Sequence, residues 1–429
     1  DGKQLAFVAD LDTNENTLLR NPKLMYWKSG NTTVQTVADS SQNPAPEGWL
    51  ISENYSPKFS KDGSKLFFGT IPRYLVKDTT ILDEDIVQVD IWNNQHKQQM
   101  TQQVANLNRE KKRSYLAVMN TSTNKTTQLA TLEIPMTDMV DEGNADFVLA
   151  GSNLPYSNQH WDWSGTGDIY TISTRDGQVT KIAAEQKTGW GGASVSPKGK
   201  YVYWYSKADT AWFANEIKSG KTIQLTANIL FSNAAEDDHP DYPNPYGIMG
   251  WSKDDDRIMI YDRYDIWSIN PDKPNEAVKL TNGTVNKTRY RYVKLDDEER
   301  SIDTDKALLL YLFDETTKQS GYAQLSNVTK QIIELVKSDV RYSRQVYKAK
   351  KAGDIVFVKD HINMMGENPL IGFNDERIGP RFPDMLKVYD RDLNRFALDY
   401  CEQNDIQAHE GVYLSLKGPS LETPAEYEY

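Results

Sequence analysis

Residue types able to do covalent chemistry are few and scattered in this 429-residue chain. There are five histidines (His96, His160, His239, His361 and His409) and one cysteine, Cys401. A lone cysteine cannot close an internal disulfide, and Cys401 has no neighbours for a zinc site. No Gly-x-Ser-x-Gly occurs, so the strained turn that presents a serine nucleophile to its base is not encoded. His239 has carboxylates beside it in Glu236-Asp237-Asp238-His239-Pro240, yet a loop histidine reads first as a solvated one. Asp254-Asp255-Asp256 offers calcium-type oxygens, but charged hairpin turns use the same residues, and the turn is the favoured reading. Glu422 opens a capped helix start: Thr423 as N-cap, Pro424 at the first position, Glu426 at the third. An acid there is favoured by the helix dipole alone. These types name no catalytic residue, no metal ligand set and no cofactor.

What must position them is overwhelmingly a β-sequence. Aromatics make up 11% of the chain, with 24 Tyr and 10 Trp, which suits pleated, half-buried surfaces better than a helical bundle. The net charge of −12 argues against nonspecific nucleic-acid binding, which needs a basic footprint. No apolar run approaches the roughly 18 residues of a membrane span. Six Asn-x-Ser/Thr triplets, at Asn31, Asn120, Asn124, Asn282, Asn286 and Asn327, fall in expected turns, and turn chemistry explains them before glycosylation does.

Residues 250–283 show the recurring pattern most plainly. A turn at 252–256 leads into the apolar run 258–261, then a second run at 266–269. A turn at 270–274 and a third run at 278–280 complete an antiparallel meander. The turn-strand recurs at 1–8, 59–68 and 195–204, with Asp-Gly or Lys-Gly supplying the turn before a buried inner strand. A hairpin follows, with copies at 24–37, 114–129, 168–182, 211–225, 265–280 and 321–336. From the second copy onward the spacing is about 43 to 56 residues, the range of four-stranded propeller blades rather than of an array of sandwiches. The first interval, about 90 residues, holds either a degenerate blade or an insertion, with 72–113 as a projecting arm. The expected fold is mainly β: a propeller of about six to seven recognisable blades over 1–351, cut at its N-terminus, followed by a truncated α/β fragment over 352–429.

That tail follows a different grammar, which sets in near Lys348. Apolar residues from Phe382 to Cys401 recur at helical spacing, predicting an amphipathic helix of about 20 residues, with a strand at 412–416 beyond it. The helix started at Thr423 has no body before Tyr429, so the natural sequence is expected to continue, and any signal peptide would precede Asp1.

Residues 1 to about 350 resemble the propeller of the prolyl oligopeptidase and dipeptidyl peptidase family, in the form of its large bacterial members. The meander at 251–281, the segment 83–92 and the run Lys112-Arg113-Ser114-Tyr115-Leu116-Ala117-Val118 carry that resemblance. It implies a gate that filters peptides toward a separate hydrolase domain with a Ser-Asp-His triad. The tail resembles trimeric-type purine nucleoside phosphorylases, on Asp360-His361-Ile362-Asn363, Asn368-Pro369-Leu370-Ile371-Gly372, Asn374-Asp375-Glu376-Arg377, 379–385, Gly411-Val412-Tyr413 and 418–426. That resemblance implies that Glu422 hydrogen-bonds a purine and that Leu421 packs on base and sugar. A carboxylate accepting from purine N–H groups favours the electron-rich leaving base. The family's phosphate loops lie upstream of this slice, where the chain carries propeller; Ser232-Asn233-Ala234-Ala235 only echoes one.

Three readings compete. One is a non-catalytic gating propeller without its hydrolase, partnered by peptide or by that missing domain. Another is a phosphorylase-family enzyme acting on a purine nucleoside and phosphate. The last is a fusion of two unrelated fragments, inactive as it stands. The propeller parent implies a periplasmic or extracytoplasmic location, the phosphorylase parent a cytoplasmic one.

Overall fold

The computed structural model describes residues 2–41, 46, 48–76, 78–87, 89, 91–93, 96, 98–158, 165–187, 192–226, 242–296, 298–326, 331–339, 355–363, 389–403 and 408–415. The chain divides into two compact units: Asp1–Val293 with Glu299–Tyr342, and Lys294–Glu298 with Ser343–Tyr429.

The first unit is a β-propeller whose described residues form six antiparallel sheets in chain order. Sheet 1 holds β1 (Gln4–Ala9), β2 (Lys23–Lys28) and β3 (Gln35–Ala38). Sheet 2 holds β4 (Trp49–Ile51), β5 (Lys58–Phe59), β6 (Lys65–Pro72), β7 (Tyr115–Asn120) and β8 (Thr126–Gln128). Sheet 3 holds β9 (Met136–Met139), β10 (Phe147–Ser152), β11 (Gly167–Ser173) and β12 (Val179–Gln186). In sheet 4, β13 (Ala193–Val195), β14 (Tyr201–Ser206), β15 (Ala211–Glu216) and β16 (Lys221–Gln224) pair in sequence. Sheet 5 repeats this with β17 (Ile248–Trp251), β18 (Ile258–Tyr261), β19 (Ile266–Asn270) and β20 (Lys273–Lys279). Sheet 6 does so with β21 (Thr288–Tyr292), β22 (Leu308–Asp314), β23 (Ser320–Leu325) and β24 (Ile332–Ser338). All six expected hairpins are present, as the third and fourth strands of sheets 3 to 6 and the closing pair of sheets 1 and 2.

The inner strands of sheets 2 to 5 are buried on both faces, which explains their unbroken apolar runs. Successive side chains leave a strand on opposite sides. Leu66 and Phe68 of β6 accordingly pack with Leu24 and Tyr26 of sheet 1, while Phe67 between them packs with Val148 and Tyr170 of sheet 3. Leu149 of β10 turns the other way, onto Val202 and Trp204 of sheet 4. In β18, Ile258 and Ile260 join Tyr201 and Trp212 of sheet 4, whereas Met259 and Tyr261 join Leu308 and Leu310 of sheet 6. Neighbouring sheets are thus glued in chain order by the period-2 alternation of single strands.

Two expectations are sharpened. β6 pairs directly with β7 over Lys65↔Asn120 to Thr70↔Tyr115, so the long first interval is an insertion into sheet 2 and not a degenerate blade. That insertion contains α1 (Met100–Lys111), which buries none of its residues. In sheet 5 the turn is narrower than 270–274: Asn270 pairs with Lys273, so the loop is Pro271-Asp272 and β20 begins earlier. Pro274 then sits on an edge strand, a position that spares its missing N–H.

In the second unit, β25 (Ile355–Asn363) and β26 (Ala408–Ser415) pair in parallel, with α2 (Arg391–Gln403) between them in sequence. Parallel neighbours need a crossover of this kind. The helix begins at 391 because the Asp390 carboxylate accepts from the amides of Asp392 (2.9 Å) and Leu393 (3.1 Å), an N-cap. The earlier part of the expected helix, 382–388, lies outside the described residues.

Candidate functional site: the converging first strands of sheets 3, 4 and 5

The first strands of three consecutive sheets, β9, β13 and β17, line one cavity of about 430 Å³. Its wall includes Met139, Leu149, Tyr203 and Trp251, and its polar groups are Asp138, Asp141, Glu142, Ser194, Ser196 and Arg300. Asp141 and Glu142 stand on the 3-10 turn after β9, both with φ of +52°, a left-handed conformation that non-glycine residues rarely adopt. That turn is held from sheet 2: the Lys61 amide donates to the Glu142 carbonyl (3.1 Å), and the Lys61 ammonium pairs with the Glu142 carboxylate (3.1 Å).

Arg300 comes from the connection between β21 and β22 and pairs with both Asp141 and Glu142. Its loop is anchored two residues on. The Ile302 amide donates to the Trp251 carbonyl (2.7 Å), and the buried Ile302 side chain packs in the cluster between sheets 5 and 6. Gly250, with φ of +147°, lies beneath it, where an added Cβ would meet Ile302 Cγ1 at 3.1 Å. Asp138 is exposed to the cavity, yet the surrounding walls desolvate its carboxyl and push it above the ordinary value.

The Ser196 hydroxyl donates to Asp255 (2.6 Å) and accepts from the Tyr201 amide (2.9 Å), so it is fully engaged. Three carboxylates against the Arg300 guanidinium and the Lys61 ammonium leave the mouth net negative.

Asp255, the middle of the acidic triplet, is a structural clamp. It is fully buried, at φ of +57°, and accepts from Ser196 Oγ and from the amides of Lys198 and Lys200 (3.1 and 3.2 Å). The turn of sheet 5 is thereby plugged into the turn of sheet 4. Sequence reading identified the turn and missed the clamp, because nothing local distinguishes one aspartate of three. The cavity residues were also beyond reach, since they come from strands 50 or more residues apart. Glu422, Leu421, His239 and Ser232 to Ala235 lie outside the described residues; His96 is exposed in the sheet 2 insertion, far in sequence from the cavity strands.

A family profile described as the phosphorylase superfamily matches residues 348–429. Purine nucleoside phosphorylase 1 of Bacillus subtilis is 48% identical over 79 residues, 18% of this chain and 29% of that protein. The mouse (Mus musculus) purine nucleoside phosphorylase is 47% identical over 81 residues, 18% of this chain and 28% of that protein. The chain spans less than a third of the length of these relatives. Among solved structures, a prolyl endopeptidase aligns with 74% of this chain and 40% of its own, at TM-score 0.34 and 10% identity. TolB from Acinetobacter baumannii aligns with 74% of this chain and 62% of its own, at TM-score 0.24 and 12% identity. The six-sheet propeller described above is thus followed, from residue 348, by a stretch that matches the phosphorylase superfamily.

Proposed function

We propose that the chain is a non-catalytic binding module: a peptide-gating propeller over 1–351 joined to a phosphorylase fragment over 352–429 that lacks its phosphate loops. The observation that carries this is the cavity at the converging first strands. It concentrates carboxylates and one guanidinium on an apolar wall, and its one buried serine is consumed by structure. The occupant is a short peptide with a cationic group, drawn by Asp138, Asp141 and Glu142. Glu422 and Leu421 are the remnant of a purine site. Without phosphate ligands they cannot hold a nucleophile in line with a sugar, so positioning is lost along with binding. The two segments derive from unrelated proteins.

The purified chain is expected to leave proline-containing peptides uncut and to release no hypoxanthine from inosine and phosphate. Phosphate-dependent release of hypoxanthine would establish instead the phosphorylase reading, which the match at 348–429 favours. Peptide cleavage blocked by a serine-directed inhibitor would refute the gating reading. Limited digestion is expected to cut within 348–353, and a chain resistant there would contradict the division at 351.

A further inference from the structure

A second pocket, of about 530 Å³, lies between sheets 5 and 6, against the turns that join their second and third strands. The acidic cavity borders connections between first and second strands, so an antiparallel meander places the two at opposite ends of its strands. Four cations line the second pocket: Arg263 on the β18–β19 turn, Lys287 and Arg289 around the start of β21, and Lys318 on the β22–β23 turn. Among the described residues Glu315 is its one acid, and no aliphatic side chain lines it.

These groups are held in place by the fold itself. The Glu315 carboxylate accepts from Arg263 Nη2 (2.9 Å) and Tyr264 Oη (3.0 Å) and lies 2.8 Å from Arg289 Nε. The Arg263 and Arg289 guanidinium groups sit over the rings of Tyr264 and Phe313, at 5.3 and 5.2 Å. The Glu315 amide donates to the Lys287 carbonyl (3.0 Å), and the Tyr290 amide to the Tyr264 carbonyl (2.9 Å), so both turns are tied to β21. Lys287 and Lys318 hold left-handed backbone, with φ of +55° and +66°, an uncommon conformation for lysine.

One carboxylate does not balance four cations. Among the described residues neither the Lys287 nor the Lys318 ammonium has an ion pair, and the buried Arg289 Nε makes no hydrogen bond. The result is a concentrated positive site on a chain of net charge −12. An anion between these cations relieves their mutual repulsion and accepts from the guanidinium forks. The acidity of the whole chain disfavours a long polyanion, and the polar walls offer an apolar ligand no surface. The volume accommodates more than one oxyanion group.

We propose that this pocket binds a small compound carrying three or more negative charges, its phosphoryl or carboxylate groups held by Arg263 and Arg289 and flanked by Lys287 and Lys318. The test is calorimetric titration of the full chain with inorganic pyrophosphate and, separately, with citrate, metal-free and at about 0.1 M ionic strength. At least one is expected to bind with a Kd below about 1 mM. Tighter pyrophosphate assigns phosphoryl groups, tighter citrate assigns carboxylates, and equal affinities show a site that reads charge alone. Lys287→Asn/Lys318→Asn, with asparagine tolerating the left-handed backbone, is expected to weaken binding roughly tenfold. Lys218→Asn/Lys221→Asn, which removes the same charge from the exposed β15–β16 hairpin, is expected to stay within about twofold of wild type. Circular dichroism checks the fold of each variant; if the first double variant misfolds, each of its single replacements is expected to weaken binding about threefold. Failure of both anions to bind in this range, unchanged affinity after loss of Lys287 and Lys318, or an equal loss in the sheet 4 variant would overturn the proposal.

Discussion

Asp168 shows how a single residue is held against its solvation preference. It is 2% exposed; burial alone would raise its carboxyl, but donors from Lys181 (2.8 Å), Tyr156 (2.6 Å), the Glu185 amide (3.1 Å) and Tyr170 (2.9 Å) outweigh that and hold it at about 2. The same device recurs in sheet 5. There Asp265, fully buried, takes Lys279 (3.2 Å), Thr281 (2.7 Å) and Thr284 (2.6 Å), and is likewise held low. In each case the lysine lies over an aromatic ring two residues after the aspartate, Tyr170 or Trp267. A folded value below the roughly 3.9 of an unfolded aspartate stabilises the protein above the unfolded value. That contribution is lost as pH falls from about 4 to about 2. The urea-midpoint gap between wild type and Asp168→Asn is therefore expected to be wide at pH 6 and to narrow at pH 2.5. A gap unchanged across that range would show that the lowered carboxyl contributes nothing. The sequence displayed these hairpins, but not that an aspartate before the outgoing strand and a lysine on the return one would meet.

At the scale of elements, the apolar runs were the legible part. Ile258-Met259-Ile260-Tyr261 is a strand, and its continuity correctly implied burial on both faces. Boundaries set by capping or pairing were less legible. α2 begins at a cap, Asp390, and β20 begins at a two-residue loop, neither of which the apolar spacing records. Inter-sheet joints were invisible, because they depend on which turns become neighbours. Asp255 is the clearest of these, bridging the turns of sheets 4 and 5. Asn tolerates the left-handed backbone at this position, so Asp255→Asn isolates the acceptor charge from backbone strain. A loss of about 1–3 kcal/mol is expected from chemical unfolding, the range for weakening hydrogen bonds to a buried charged group. An unchanged midpoint would mean that the hydroxyl and amides of 196–200 find other partners at no cost.

For the whole molecule, the repeat spacing revealed the propeller, and the change of grammar near Lys348 marked where the phosphorylase match begins. The cavity was not legible, since it exists only where three sheets bring their first strands together and a loop from between β21 and β22 returns 159 residues to reach Asp141. Arg300 neutralises part of the acidic mouth, so its removal is the most direct perturbation of the proposed role. Freeing half-exposed carboxylates adds about 0.5–1 kcal/mol of attraction for an incoming cation, roughly a two- to fivefold gain in affinity. The decisive measurement is calorimetric titration of wild type and Arg300→Ala with a short lysine-containing peptide and its glutamate counterpart, the peptide being recovered afterwards for mass spectrometry. The gating reading predicts that the lysine peptide binds and is recovered intact. It also predicts tighter binding to Arg300→Ala, weakening with salt, and little binding of the glutamate peptide. Equal affinity for both peptides, weaker binding to Arg300→Ala, or a cleaved peptide would contradict it.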